Sequence, residues 1–169
     1  MSVRYNRTLI YGFGPYEQYL HNVTIDIIEE VRRTRLSHSA VFETRFSRKM
    51  FEEILKQYDP DIVIGVGQTS RARKIRIERR AINWRDDRRS SSKKISRDGP
   101  QYRYATLKIK NTDESTITYD AGNYVCNFSM YIMCEYAQKT GAGFAFLHVP
   151  IDIEPKRAAA FLRNTLKVT

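Results

Sequence analysis

Residues 61–67, Asp-Ile-Val-Ile-Gly-Val-Gly, form an unbroken apolar run of strand length. A strand with no polar alternation must be covered on both faces, the condition of a strand inside a parallel sheet flanked by helices. Residues 144–149, Phe-Ala-Phe-Leu-His-Val, closed by Pro150, have the same character. Neither run approaches the ~20 apolar residues of a membrane span. The segments before the first run fit such a layered sheet. Thr8 to Phe13 reads as a strand running into the turn Gly12-Phe-Gly-Pro-Tyr16. Asn22 or Thr24 can cap a helix that carries Val23, Ile27, Ile28 and Val31 on one face and a Glu29/Arg33 pair on the other. Val41 to Phe46 alternates as a strand. Ser47 then caps a helix with Met50, Phe51, Ile54, Leu55 and Tyr58 inward, stopped by Asp59-Pro60. This β-α-β-α-β order with short connections predicts an α/β fold.

Farther on, Ile75, Ile77 and Ile82 suggest one strand between residues 71 and 84, and residues 85–101 read as a long polar loop. Tyr104 to Ile109 and Thr116 to Tyr119 are predicted to form an antiparallel hairpin about the 110–115 turn. A helix over about 123–139, a Gly141-Ala-Gly143 stop, the 144–149 strand and a helix over about 155–167 complete the chain. The reading is a single domain over residues 1–169: a three-layer α/β/α fold on a mixed, mostly parallel sheet.

The net charge of +10 is concentrated: residues 71–97 hold twelve Lys/Arg against Glu78, Asp86 and Asp87, a balance of +9. Such a segment can hold a polyanion such as nucleic acid. Trp84 is its only stacking aromatic, however, so a solvated loop is the favoured reading. The N-terminus lacks the pattern of a signal peptide, and a cytoplasmic protein without a membrane partner is expected. Cys126 and Cys134, if on one helix, lie ~12 Å apart along its axis, beyond the roughly 7 Å that a disulfide spans. Two thiols and three scattered histidines give no metal-ligand spacing, so no metal or cofactor is expected.

Three residues could carry chemistry. Cys126 falls in the first turn of the 123–139 helix, where the helix N-terminus favours a thiolate. His148 stands near the end of a buried strand, at the sheet edge where ligands of α/β proteins sit. Glu78 lies within a strand-like stretch among arginines. Taken singly, each also fits a bland role: a small core thiol, a hydrogen-bonded core histidine, a salt-bridged glutamate.

Five blocks in order add weight: Gly12-Phe-Gly-Pro-Tyr16 followed by Asn22; Pro60 to Gln68; Ile75-Arg-Ile-Glu-Arg-Arg-Ala-Ile-Asn83; Ala121-Gly-Asn-Tyr-Val-Cys-Asn127; and Phe146-Leu-His-Val-Pro150. Together they resemble the pyroglutamyl peptidase I (pyrrolidone-carboxylate peptidase) family. The resemblance implies a cytosolic cysteine peptidase that removes N-terminal pyroglutamate from peptides. Cys126 would be the nucleophile, His148 the base and Glu78 its orienting carboxylate. It also implies that Phe13, Tyr16, Tyr124 and Val125 line the slot for the lactam ring, with Gln68 on the substrate side and Arg88 nearby. Backbone N–H groups at the start of the Cys126 helix would hold the oxyanion. Association of like chains is admitted as a further partner.

Against the family pattern, this chain has Thr69-Ser-Arg-Ala-Arg73 in place of a glycine-rich turn and Asp120 in place of serine. It has Tyr16 and Tyr124 in place of phenylalanines, lacks a helix before the cysteine segment, and has a shorter C-terminal region. Two alternatives follow: a thiol hydrolase of the same fold for another small acyl-amide, and an inactive scaffold that binds nucleic acid or another polyanion through residues 71–97.

Overall fold

The computed structural model of the protein describes residues 7–35, 37–86 and 92–168. In chain order the elements are β1 (Thr8–Phe13), α1 (Val23–Thr34), β2 (His38–Phe42), α2 (Arg48–Tyr58), β3 (Ile62–Thr69), β4 (Ile75–Glu78) and β5 (Arg80–Ile82). They continue with β6 (Arg85–Asp86), β7 (Ser92–Lys93), β8 (Tyr102–Tyr104), β9 (Ser115–Thr118), α3 (Val125–Thr140), β10 (Gly143–Pro150) and α4 (Pro155–Val168). The central sheet has six strands in the order β2-β1-β3-β10-β4-β9. Every neighbouring pair is parallel except β10 with β4. The two continuous apolar runs, β3 and β10, are neighbours at its centre and are buried along almost their whole length.

Alternation along these strands feeds two cores. Ile10, Ile64, Val66 and Leu147 point toward α1 and α4, where Ile27, Ile28, Ala158 and Leu162 meet them. Tyr11, Phe13, Val63 and Phe146 point the other way, toward Phe51 and Leu55 of α2 and Phe128, Met130 and Tyr131 of α3. The result is the expected α/β/α sandwich on a mixed, mostly parallel sheet. Asn22 caps α1 and Ser47 caps α2, each side chain accepting from a backbone N–H of the first turn. Gly141, at φ 79°, ends α3 in the left-handed conformation that glycine adopts without steric cost.

Several local expectations change. β2 spans His38–Phe42, not Val41–Phe46: Ala40 and Phe42 are its inward pair. The chain then leaves the sheet so that the Phe46 ring can pack edge-on against Tyr124 and Phe128. On α1 the ion pairs are Glu29–Arg32 and Glu30–Arg33, one residue closer than the Glu29/Arg33 pairing expected. The single strand expected between residues 71 and 84 is two strands, β4 and β5, broken at Arg79.

The 104–119 hairpin does not form. β8 pairs antiparallel with β5, while β9 joins the sheet edge parallel to β4. The Arg79 guanidinium accounts for part of this, donating to the carbonyls of Ala105 (3.0 Å) and Leu107 (2.9 Å), while Leu107 N–H bonds Phe144 O. With those backbone groups engaged, residues 105–109 cannot ladder with β9. Within the polar stretch 85–101, the described residues 85–86 and 92–101 are more ordered than a loop. β6 pairs with β7, and the Asn83 amide bonds backbone groups of Ser96 and Gly99.

Candidate active site

Parallel strands deliver their C-terminal ends to one sheet edge, and β1, β3 and β10 bring Phe13, Gln68 and His148 there. The N-terminus of α3 meets the same edge. Cys126 is the second residue of that helix, preceded by Tyr124 at the N-cap, which makes no side-chain cap. Asn127 fixes the helix start: its carboxamide accepts from Ile82 N–H and donates to the carbonyls of Ile82 and Trp84.

Cys126 Sγ and the His148 ring lie side by side over Gly67 and line the same cleft. On the other side of the ring, His148 Nδ1 donates to Glu78 Oε1 at 2.9 Å. With Nδ1 so engaged, Nε2 is the nitrogen left for the thiol. Glu78 is fully buried, and its second oxygen accepts from the Thr118 hydroxyl at 2.5 Å. Arg76 Nε stands 3.3 Å from Oε1. Burial alone pushes the His148 ring toward the neutral form. The interactions with Cys126, and then with Glu78, outweigh it and raise the imidazole from 6.5 to about 9. Below these groups runs the Gly67 backbone, where a β-carbon would come within 2.6 Å of Cys126 Sγ.

A cleft of about 640 Å³ opens over the thiol. Phe13, Tyr16, Gln68, Tyr124 and Val125 line it together with Cys126 and His148; Glu78 stands behind His148 and does not. Arg88, the remaining expected site residue, lies outside the described residues. Phe13 and Val125 are nearly fully buried, whereas Tyr16 and Tyr124 form a tilted ring pair 6.2 Å apart. Burial raises the Tyr16 phenol above its ordinary range, partly offset by the Gln68 amide beside it.

Gln68 is held from α1. Its Oε1 accepts from Val23 N–H at 2.9 Å. Gln68 lines the cleft, and its buried Nε2 has no hydrogen bond of ordinary distance and angle among the described residues. The same helix start fixes Phe13, whose N–H bonds Thr24 Oγ1, and Thr24 in turn donates to Asn22 Oδ1.

Sequence reasoning missed Thr118 and Arg76. Both belong to β4 and β9, whose pairing the expected hairpin misplaced. The parallel register Glu78↔Thr118 could be read only from that pairing. Asp120, which stands where the family pattern has serine, turns its carboxylate onto Gly122 N–H at 2.9 Å. Among the described residues no cluster of His, Cys, Asp and Glu could hold a metal ion, and no helix is long and apolar enough to cross a membrane. The basic segment is divided. Arg71, Arg73, Lys74, Lys93, Lys94 and Arg97 are exposed, whereas Arg76, Arg79 and Arg80 are partly buried against the fold.

A thiol, an imidazole and a carboxylate in series at the C-terminal edge of an α/β/α sheet have the arrangement of a cysteine hydrolase. The family model described as pyroglutamyl peptidase matches residues 6–160, and the chain belongs to that family. A pyrrolidone-carboxylate peptidase of Thermosipho africanus is 31% identical over 169 residues, covering 85% of this chain and 81% of the relative. One from Brachyspira hyodysenteriae is 31% identical over 176 residues, covering 88% and 85%. Among solved structures, the pyrrolidone carboxyl peptidase from Thermococcus litoralis superposes with a TM-score of 0.79 at 24% identity. That match covers 95% of this chain and 91% of the other. Pyroglutamyl peptidase I of Bacillus amyloliquefaciens gives 0.76 at 22% identity, with 95% and 93% covered.

Proposed function

We propose that the protein is a cysteine omega-peptidase that releases N-terminal pyroglutamate from peptides through Cys126, His148 and Glu78. The observation that carries this reading is the placement of Cys126 beside His148 in one cleft, with the His148 ring bonded to the buried Glu78 carboxylate behind it. Cys126 Sγ attacks the carbonyl carbon that joins pyroglutamate to the next residue. Its proton passes to His148 Nε2, and Glu78 stabilises the imidazolium through Nδ1. The developing oxyanion is met by backbone N–H groups at the start of α3, where the helix dipole adds to their field. Collapse expels the peptide amine, which takes the proton from His148 and leaves a thioester. Water, deprotonated by His148, then attacks the thioester, freeing pyroglutamate and regenerating the thiol.

The lactam is compact, flat and uncharged, so its site needs apolar walls and few polar groups. Phe13, Tyr16, Tyr124 and Val125 supply the walls, and Gln68 Nε2 supplies a donor for the ring carbonyl. The decisive experiment follows fluorophore release from a pyroglutamyl amide by reduced protein, wild type against Cys126→Ala. Turnover by the wild type and none by the variant is expected. Wild-type protein no faster than the variant would overturn the reading.

A further inference from the structure

We propose that Arg76 is a positioning residue for this reaction: it anchors Glu78 behind His148, ties both to the turn that delivers Cys126, and sets the upper pH limit of the working ion pair. The inference rests on the reading of Cys126, His148 and Glu78 given above. Its basis is the one antiparallel pairing in the sheet. Because β4 runs against β10, the residue directly opposite His148 is Arg76, and Glu78 lies two positions on, opposite Phe146. Alternation puts Arg76 and Glu78 on the same face as His148, so a cation is built in beside the base and its carboxylate.

The contacts give this cation two tasks. Arg76 Nε is 3.3 Å from Glu78 Oε1, an ion-pair distance, but it has no aligned hydrogen bond and leaves the aligned bond on that oxygen to His148. Arg76 Nη2 donates to the carbonyl of Asp120 at 3.1 Å, and Asp120 opens the turn that leads into α3. One guanidinium thus spans from the orienting carboxylate to the nucleophile's turn, with its side chain only 21% exposed. A buried carboxylate needs countercharge. Without Arg76, the charge of Glu78 would be balanced by His148 alone. The ring would then hold its proton more tightly, since a neighbouring like charge would be gone. The other groups that face this pair among the described residues are Cys126 from α3 and the uncharged Thr118 from β9. Arg71, Asp86 and Asp120 stand farther along the cleft wall.

The test compares wild type with Arg76→Met, which removes the charge while keeping a long apolar stem, and Arg76→Lys, which keeps the charge. Two quantities are read: the pH profile of kcat/KM on a pyroglutamyl amide, and the NMR titration of the His148 ring. For Arg76→Met the basic limb and the ring titration should both move up by about half to one pH unit. Arg76→Lys should hold both near the wild-type position, even where the lost bond to Asp120 lowers kcat. A general loss of structure would reduce activity at every pH without moving the limb. If Arg76→Met does not fold, Arg76→Gln carries the same comparison. Identical limbs and ring titrations in charged and uncharged variants would overturn the proposal. Absence of turnover in the wild type would sink the peptidase reading instead, and the ring titration would still decide the role of Arg76.

Discussion

Cys126 Sγ rests directly above the backbone of Gly67: a β-carbon at that position would lie 2.6 Å from the sulfur and 3.2 Å from His148 Cδ2. The glycine is therefore a spacing device. It lets the central strand β3 pass beneath the thiol and the imidazole at once. Gly67→Ala should keep the fold at some cost in stability, because the added carbon crowds the buried Phe146 ring at 3.0 Å as well as the two cleft side chains. It should displace the sulfur by a substantial fraction of an ångström. A misplacement of that size costs on the order of 100-fold in rate. We expect kcat to fall by about that factor in protein that still melts cooperatively; unchanged kcat would show that the thiol has room the geometry denies.

The raised His148 imidazole makes stability depend on pH with a definite sign. Its folded value, about 9, exceeds the ordinary 6.5, so the folded state binds this proton more tightly than the unfolded chain. The contribution is fully present below about pH 6.5 and is lost as pH rises through about 9. Thermal melts from pH 6 to 10 should decline across that window. Cys126→Ala removes the leading upward influence on the ring and should flatten the decline. A slope that persists undiminished in the variant would assign it to other groups.

Gln68 offers a test of the lactam slot. Gln68→Glu keeps an oxygen to accept from Val23 N–H but replaces the Nε2 donor with an acceptor facing the cleft. Losing a buried hydrogen bond and opposing a carbonyl with an oxygen costs about 1–3 kcal/mol, or roughly 5- to 150-fold. The loss should fall chiefly on KM for pyroglutamyl substrates. A kcat defect with KM intact would place Gln68 outside the ring-binding slot.

The central strands and caps were legible in the sequence for a physical reason: their determinants are local. Continuous apolar runs 61–67 and 144–149 can be satisfied only at the centre of a covered sheet, and Asn22 and Ser47 carry their caps within three residues. Cys126, His148 and Glu78 were likewise visible as candidates, since each belongs to a short block. What failed were the elements governed by distant partners. The hairpin at 104–119 was reasonable by loop length, but Arg79 and Phe144 claim the backbone groups it needed. The same misreading hid Thr118 and Arg76, because no local pattern places β9 beside β4 or turns β4 against β10. Asp120, which stands where the family pattern has serine, bonds its own turn through Gly122 N–H and also lines the cleft.

The two cysteines give a direct chemical contrast. Cys126 is partly exposed, sits at the second position of α3 and faces the cleft. Cys134, two turns on, is fully buried in the core with Met133 and Ala137. Burial raises its thiol to about 12, with Arg103 and Arg79 only partly opposing the effect. The thiolate is the species that alkylates, and access sets the rest. Iodoacetamide at neutral pH should therefore label Cys126 while leaving Cys134 at least about 100-fold slower, the latter reacting only through opening of the core. Peptide mapping by mass spectrometry over a time course distinguishes the two sites. Labelling of Cys126 should track loss of turnover one for one. Equal, slow labelling of both would mean that the helix start does not present an active thiol, and no arrangement of His148 and Glu78 could then rescue the mechanism.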